Sequence, residues 1–147
     1  MAADLQRSGA VRMTFEERSK VAERCFEEVR NLSQIKGVDY SDGQDALYNF
    51  KSNAERLGLT KYQVWLVYFM KHIDAICSAV RRNPESPHGE SEPIMSRVND
   101  ALTYLTIFAA MLEEDKLTKW SVKLKEASSE KVEILAKAWD AALKEER

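Results

Sequence analysis

The chain has 147 residues, 44% of them hydrophobic and 31% charged, with 22 Lys and Arg against 24 Asp and Glu for a net charge of −2. That balance fits one ordinary domain able to bury a core, and it gives no general attraction to nucleic acid or to an anionic membrane. No run of about 18 apolar residues is present, so no membrane-spanning helix is expected. The N-terminal segment lacks the apolar centre of a secretory signal, so the expected location is the cytoplasm, with Cys25 and Cys77 reduced and buried as small hydrophobes.

The 5 Gly and 3 Pro fall between periodic segments. This predicts an all-α bundle of five to six helices. Residues 1–13 are aperiodic and read as a tail ahead of a single helical domain over 14–147. Thr14 with Glu17 three residues on makes a capping box, opening a helix over 14–33 whose apolar face holds Phe15, Val21, Ala22, Cys25, Phe26, Val29 and Leu32. Its acids alternate with Arg18, Lys20, Arg24 and Arg30, the pattern of a solvated, ion-paired face rather than a metal site. The segment from Lys36 to Asp45 reads as a loop. Its three Asp residues have the wrong spacing for an EF-hand and suit turns and an N-cap.

A helix over 45–57 carries Ala46, Leu47, Phe50 and Ala54, and Gly58 ends it. Thr60 and Gln63 form a second capping box for a helix over 61–82. Trp65, Leu66, Phe69, Met70, Ile73, Ile76, Cys77 and Val80 make its expected core arc. Lys71, Asp74 and Ser78 lie beside that arc, and His72 sits at its edge, where a structural histidine is the first reading and a ligand or base the second. The stretch from Asn83 to Glu92 is long for a helix–helix connection, as a lid, a specificity loop or a tolerated insertion would be.

The central helix is expected over 92–113, capped by Ser91 or Glu92 with Pro93 in its first turn. Ile94, Val98, Ala101, Leu102, Leu105, Ala109 and Leu112 share a wide apolar arc. Asp100, Tyr104, Ile107 and Met111 share a narrower seam, and Asn99 has a polar face to itself. A carboxylate in such a helix needs a partner. Asp100 has three candidates: a metal, an ion pair with Arg97 or Lys71, or a hydrogen bond from Tyr104. Glu113, Glu114 and Asp115 are expected to end this helix, with a short one over 118–127 and a last one over 129–145. The last carries a stripe of Val132, Leu135, Ala136, Trp139 and Leu143. No glycine-rich phosphate loop, nucleophile elbow, zinc-like cysteine spacing or Ser–His–Asp signal occurs. Lys71, Arg81, Arg82 and Arg97 could receive a phosphate, and helix-end cations beside a turn also have an ordinary dipole role.

The stretch Glu92-Pro93-Ile94, then Val98-Asn99-Asp100-Ala101-Leu102-Thr103-Tyr104, resembles the last core helix of small phage-encoded members of the all-α nucleotide pyrophosphohydrolase, or MazG-like, superfamily, in its nucleotide-modification-associated branch. Lys36-Gly37-Val38-Asp39-Tyr40 and Asn49-Phe50-Lys51 are similar to the entry segment of that group, so the likeness covers about residues 36 to 112. It implies a homo-oligomer in the host cytoplasm that hydrolyses a nucleoside triphosphate to monophosphate and pyrophosphate with Mg²⁺. It places Asp74 and Asp100 on the metal and Glu92 beside them in catalysis. Lys71, His72, Arg97, Tyr104 and Asn49 would contact the nucleotide. The family's Glu-Glu-x-x-Glu and Glu-x-x-Asp patterns fall on Met70–Asp74 and Arg97–Asp100, where one acid per helix stands. The alternative is a non-catalytic helical binding protein of the same fold, taking a nucleotide-like anion or a protein partner. Trp120, Trp139 and the C-terminal stripe offer apolar surface for the expected oligomer.

Overall fold

The structure, a computed structural model, describes residues 12–40, 45–126 and 129–145. Five helices follow in order: α1 (Phe15–Tyr40), α2 (Tyr48–Leu57), α3 (Lys61–Arg82), α4 (Ile94–Glu126) and α5 (Ser129–Glu145). No strand occurs among the described residues, so the fold is all-α. Among the same residues no helix is long and apolar enough to cross a membrane. All but two of the expected tail residues, and Ser41 to Gln44 of the acidic loop, lie outside the described set.

Both capping boxes form. The Glu17 amide donates to Thr14 Oγ1 at 3.2 Å and the Thr14 amide donates to the Glu17 carboxylate at 2.7 Å. These bonds from Thr14 hold the Glu17 carboxyl below its ordinary value. At Thr60 the reciprocal bonds with Gln63 measure 3.2 and 2.8 Å. Lys20 pairs with Glu16 at 2.7 Å, as a solvated charged face requires. α1 continues to Tyr40, where a loop was expected from Lys36. Gly37 is the weakest helix former in that stretch, and a single helical Gly costs only about 1 kcal/mol. The expected apolar face of α1 is only partly used: Val29 is buried, whereas Phe15 and Phe26 are exposed.

α2 begins at Tyr48, later than the expected 45, because Asp45 works ahead of the helix. Its carboxylate accepts the Leu47 amide at 2.9 Å and pairs with Lys51 at 2.9 Å. The Lys51 ammonium is the main cause holding the Asp45 carboxyl below its ordinary 3.8. α2 ends at Gly58, whose φ of 64° is left-handed, letting the Leu59 amide return to the Ala54 carbonyl at 2.9 Å.

α4 starts at Ile94, with Pro93 just outside and its carbonyl accepting the Ser96 amide at 2.9 Å. It runs 33 residues to Glu126, through the acidic cluster expected to end it and the short helix expected after it. Lys116 offsets that cluster through Glu113 at 3.0 Å, and Thr118 donates back to the Glu114 carbonyl at 2.9 Å.

The chain forms two compact units, Met1–Leu105 and Thr106–Arg147, divided inside α4. In the first, α2 packs on α3: the Phe50 ring meets Tyr68 edge-on at 6.1 Å and Asn53 donates to the Tyr68 hydroxyl at 3.4 Å. In the second, Trp120 and Trp139 pack edge to face at 5.0 Å, so these two rings meet within one chain.

Two outcomes are expected. Thr60→Ala should lower the unfolding free energy in urea by about 1 kcal/mol through loss of the cap. Because the folded Asp45 carboxyl is depressed, its contribution is present above the ordinary 3.8 and is lost as pH falls through the lower folded value. Melting curves of the parent and Asp45→Asn should therefore converge as the pH drops below about 3.8.

Candidate functional site

α3 and the first half of α4 face each other in antiparallel sense. Trp65 Nε1 donates to the Tyr104 carbonyl at 2.6 Å, and two turns further along α3 His72 Nδ1 lies 3.4 Å from an Asp100 carboxylate oxygen. At 3.4 Å the His72–Asp100 contact is longer than a well-formed hydrogen bond, and the imidazole and the carboxyl are close polar neighbours. His72 is only 4% exposed, and the Asp100 side chain 15%. The Tyr104 ring stands 5.2 Å from the imidazole, and Phe50 sits edge-on to Tyr104 at 6.3 Å. Burial of two polar groups side by side is how each avoids the penalty of standing alone. Asp100 therefore meets His72, which was not among its expected partners. The expected partner Arg97 goes elsewhere.

The inward faces differ from the expected arcs. On α3, Val64, Trp65, His72 and Ala79 are buried, while Leu66, Met70, Cys77 and Val80 from the expected core arc are exposed. Cys77 is therefore no buried hydrophobe. On α4, the narrow seam of Asp100 and Tyr104 turns inward with Ala101, and Leu105 of the wide arc is exposed. Asn99, expected on a polar face, has a buried side-chain oxygen with no hydrogen-bond partner among the described residues.

At the connected end of this hairpin, the segment between α3 and α4 folds back to make a cleft of about 180 Å³. Ser78 and Arg82 line it from α3, Glu90, Ser91 and Glu92 from the connecting loop, and Arg97 from α4. Arg82 Nε pairs with Glu90 at 3.2 Å, and Arg97 Nη2 pairs with Glu92 at 2.6 Å. The loop is shaped by Asn83, which accepts the Ser86 amide at 3.2 Å, and by a close backbone approach at Gly89. A Cβ there would collide with the Glu92 carbonyl oxygen, so any side chain would displace the backbone that carries Glu92.

The eight residues singled out in the sequence divide among separate places. His72, Asp100 and Tyr104 form the buried group. Glu92 and Arg97 sit in the cleft. Asn49 is on α2, accepting from Asn53 at 2.9 Å. Lys71 and Asp74 are exposed on α3. Asp74 follows His72 by two residues, about 200° around the helix, so it faces away from Asp100. Among the described residues no three His, Cys, Asp or Glu side chains gather as a metal-holding group. Magnesium needs several oxygen ligands at once. Asp74, Asp100 and Glu92 as placed do not fit it. The sequence weighed Arg82 but missed Glu90 and Gly89; the readable signal was two acids in the loop opposite two arginines on the flanking helices.

No protein-family model, curated protein or solved structure matches the chain.

Asp100→Ala is expected to destabilise the fold by about 1–3 kcal/mol, because the buried imidazole loses the polar group beside it. Asp100→Asn keeps an oxygen there and should cost less than half as much in the same urea titration. Equal losses in the two variants would place the worth of Asp100 in its charge instead.

Proposed function

We propose that this chain is a helical binding protein for a phosphate-bearing small molecule of nucleotide type, seated in the cleft between α3 and α4. One observation carries the reading: two guanidinium groups, Arg82 and Arg97, line the same small cleft with the hydroxyl residues Ser78 and Ser91. A cleft of about 180 Å³ is smaller than the roughly 300–1,000 Å³ of pockets that enclose a whole small molecule. It suits one or two phosphate groups, with the rest of the ligand outside. The likeness over residues 36 to 112 is what narrows that ligand to a nucleotide.

Glu90 and Glu92 pair with the two arginines in the cleft. Solvent-exposed ion pairs of this kind contribute only about 0–1 kcal/mol each. A phosphate that meets both guanidiniums forms charge-assisted bonds about twice as strong as neutral ones. The exchange favours a multiply charged oxyanion over the loop carboxylates. Turnover is not part of the reading, since the acids of the resembled enzymes are dispersed.

Calorimetric titration of the intact protein with nucleoside mono-, di- and triphosphates, with EDTA and with Mg²⁺, tests it. Binding should persist in EDTA, and Arg97→Ala should weaken it about tenfold or more, equivalent to about 1.4 kcal/mol. Glu92→Gln should tighten it. No heat with any nucleotide would remove the proposal. Release of pyrophosphate that needs Mg²⁺ and is lost in Asp74→Asn and Asp100→Asn would replace it with the enzyme reading.

A further inference from the structure

A Ser or Thr inside a helix ordinarily gives its O–H to the carbonyl one turn back. Thr103 does so to Asn99 at 2.8 Å, and Thr118 to Glu114 at 2.9 Å. Ser78 is arranged differently. Its Oγ accepts from Arg81 Nη2 at 3.2 Å, and among the described residues its own O–H goes to no acceptor. A donor on one side of the oxygen keeps the hydroxyl hydrogen turned away from it. Arg81 does not line the cleft between α3 and α4, whereas Ser78 does, one turn before Arg82. The Ser78 hydroxyl is thus an oriented donor beside the two guanidiniums.

Glu90 and Glu92 engage one nitrogen of each arginine, Arg82 Nε and Arg97 Nη2. A guanidinium carries five N–H donors, so each fork keeps others for a ligand. Two forks and a hydroxyl match a group with three outward oxygens. A phosphate at the end of a molecule, a phosphomonoester, has three. An internal phosphodiester or a carboxylate has two. Size points the same way. A cleft of about 180 Å³, backed on α3 by the buried Ala79, admits an end group. An internal phosphate would need room for chain on both of its sides.

We infer that the cleft selects a terminal phosphate, the monoester end of a nucleoside phosphate, over an internal phosphodiester. Arg82 and Arg97 supply the charge, and Ser78 donates to the third oxygen. Arg81 is a positioning residue: it acts through Ser78 and does not touch the ligand. This inference rests on the anion cleft proposed above and specifies the phosphate that the cleft takes.

Calorimetric titration of the full chain in EDTA tests it, with adenosine monophosphate and with diadenosine diphosphate, two adenosines joined through a diphosphate. Both carry roughly two negative charges at about pH 8, and only the first ends in a phosphate. The monophosphate should bind about tenfold more tightly or better, the worth of a hydrogen bond to a charged acceptor. Ser78→Ala should remove that preference by weakening the monophosphate alone, and Ser78→Thr, which keeps the hydroxyl, should retain it. Arg81→Ala should weaken the monophosphate severalfold and leave the diadenosine ligand unchanged, whereas a simple loss of positive charge would weaken both alike. The comparison in the parent decides the matter if a variant fails to fold. Equal binding of the two ligands by the parent overturns this inference and leaves the nucleotide cleft standing. A preference that survives Ser78→Ala overturns the roles of Ser78 and Arg81. Inorganic phosphate binding as tightly as the monophosphate would overturn the monoester end by making free phosphate the ligand. No heat with any nucleoside phosphate removes the anion cleft, and this inference with it.

Discussion

The rotation of α3 against α4 is the setting on which the other features depend. Trp65 fixes it by reaching across to the Tyr104 carbonyl at 2.6 Å. That carbonyl lies in mid-helix, so the indole adds to the regular backbone bonding of α4. An indole N–H must find a partner once its ring is buried, and here the partner is on the opposing backbone, whatever side chain stands there. With that contact made, His72 and Asp100 come together two turns away, and Phe50 of α2 closes over the Tyr68 and Tyr104 rings. The same rotation sends Leu66, Met70 and Leu105 to the outside and brings Arg82 and Arg97 to one end.

The helical architecture was legible because its punctuation is local. Thr60 with Gln63, Thr14 with Glu17 and Gly58 each act within a few residues, and each does what its chemistry implies. The extents of α1 and α4 were less legible. Acidic residues read as a stop at 113–115, but Lys116 offsets them and nothing there opposes helical dihedrals. Gly37 read as a turn, although glycine permits a turn without requiring one.

The inward face of the hairpin was harder to read. Hydrophobic periodicity reports an apolar arc and does not say which part of a wide arc turns inward. On α3 a run of apolar residues from Val64 to Val80 contains two stripes, and the buried one includes a histidine. On α4 the wide apolar arc is split, with Ala101 buried and Leu105 and Leu112 exposed, whereas the seam holding Asp100 and Tyr104 is covered. The conflict resolves once the polar groups are placed: His72 and Asp100 come within 3.4 Å of each other only if both point inward. The pairing of Arg97 with Glu92 had the same origin. It follows from where the loop returns, which five residues of spacing do not specify.

Gly89 gives the loop a consequence for selectivity. Its backbone lies so close to the Glu92 carbonyl that the segment carrying Glu90 and Glu92 is held as one piece beside the two arginines. A carboxylate tethered next to its target acts at an effective concentration of order millimolar. On the proposed reading, the protein carries its own competitor for the cleft. Chloride, acetate and other singly charged anions would have to displace a carboxylate that matches them in charge and is already in place. Only an anion able to engage both guanidiniums at once would gain from the exchange, so the tether would set a threshold on ligand charge that the two arginines alone would not impose.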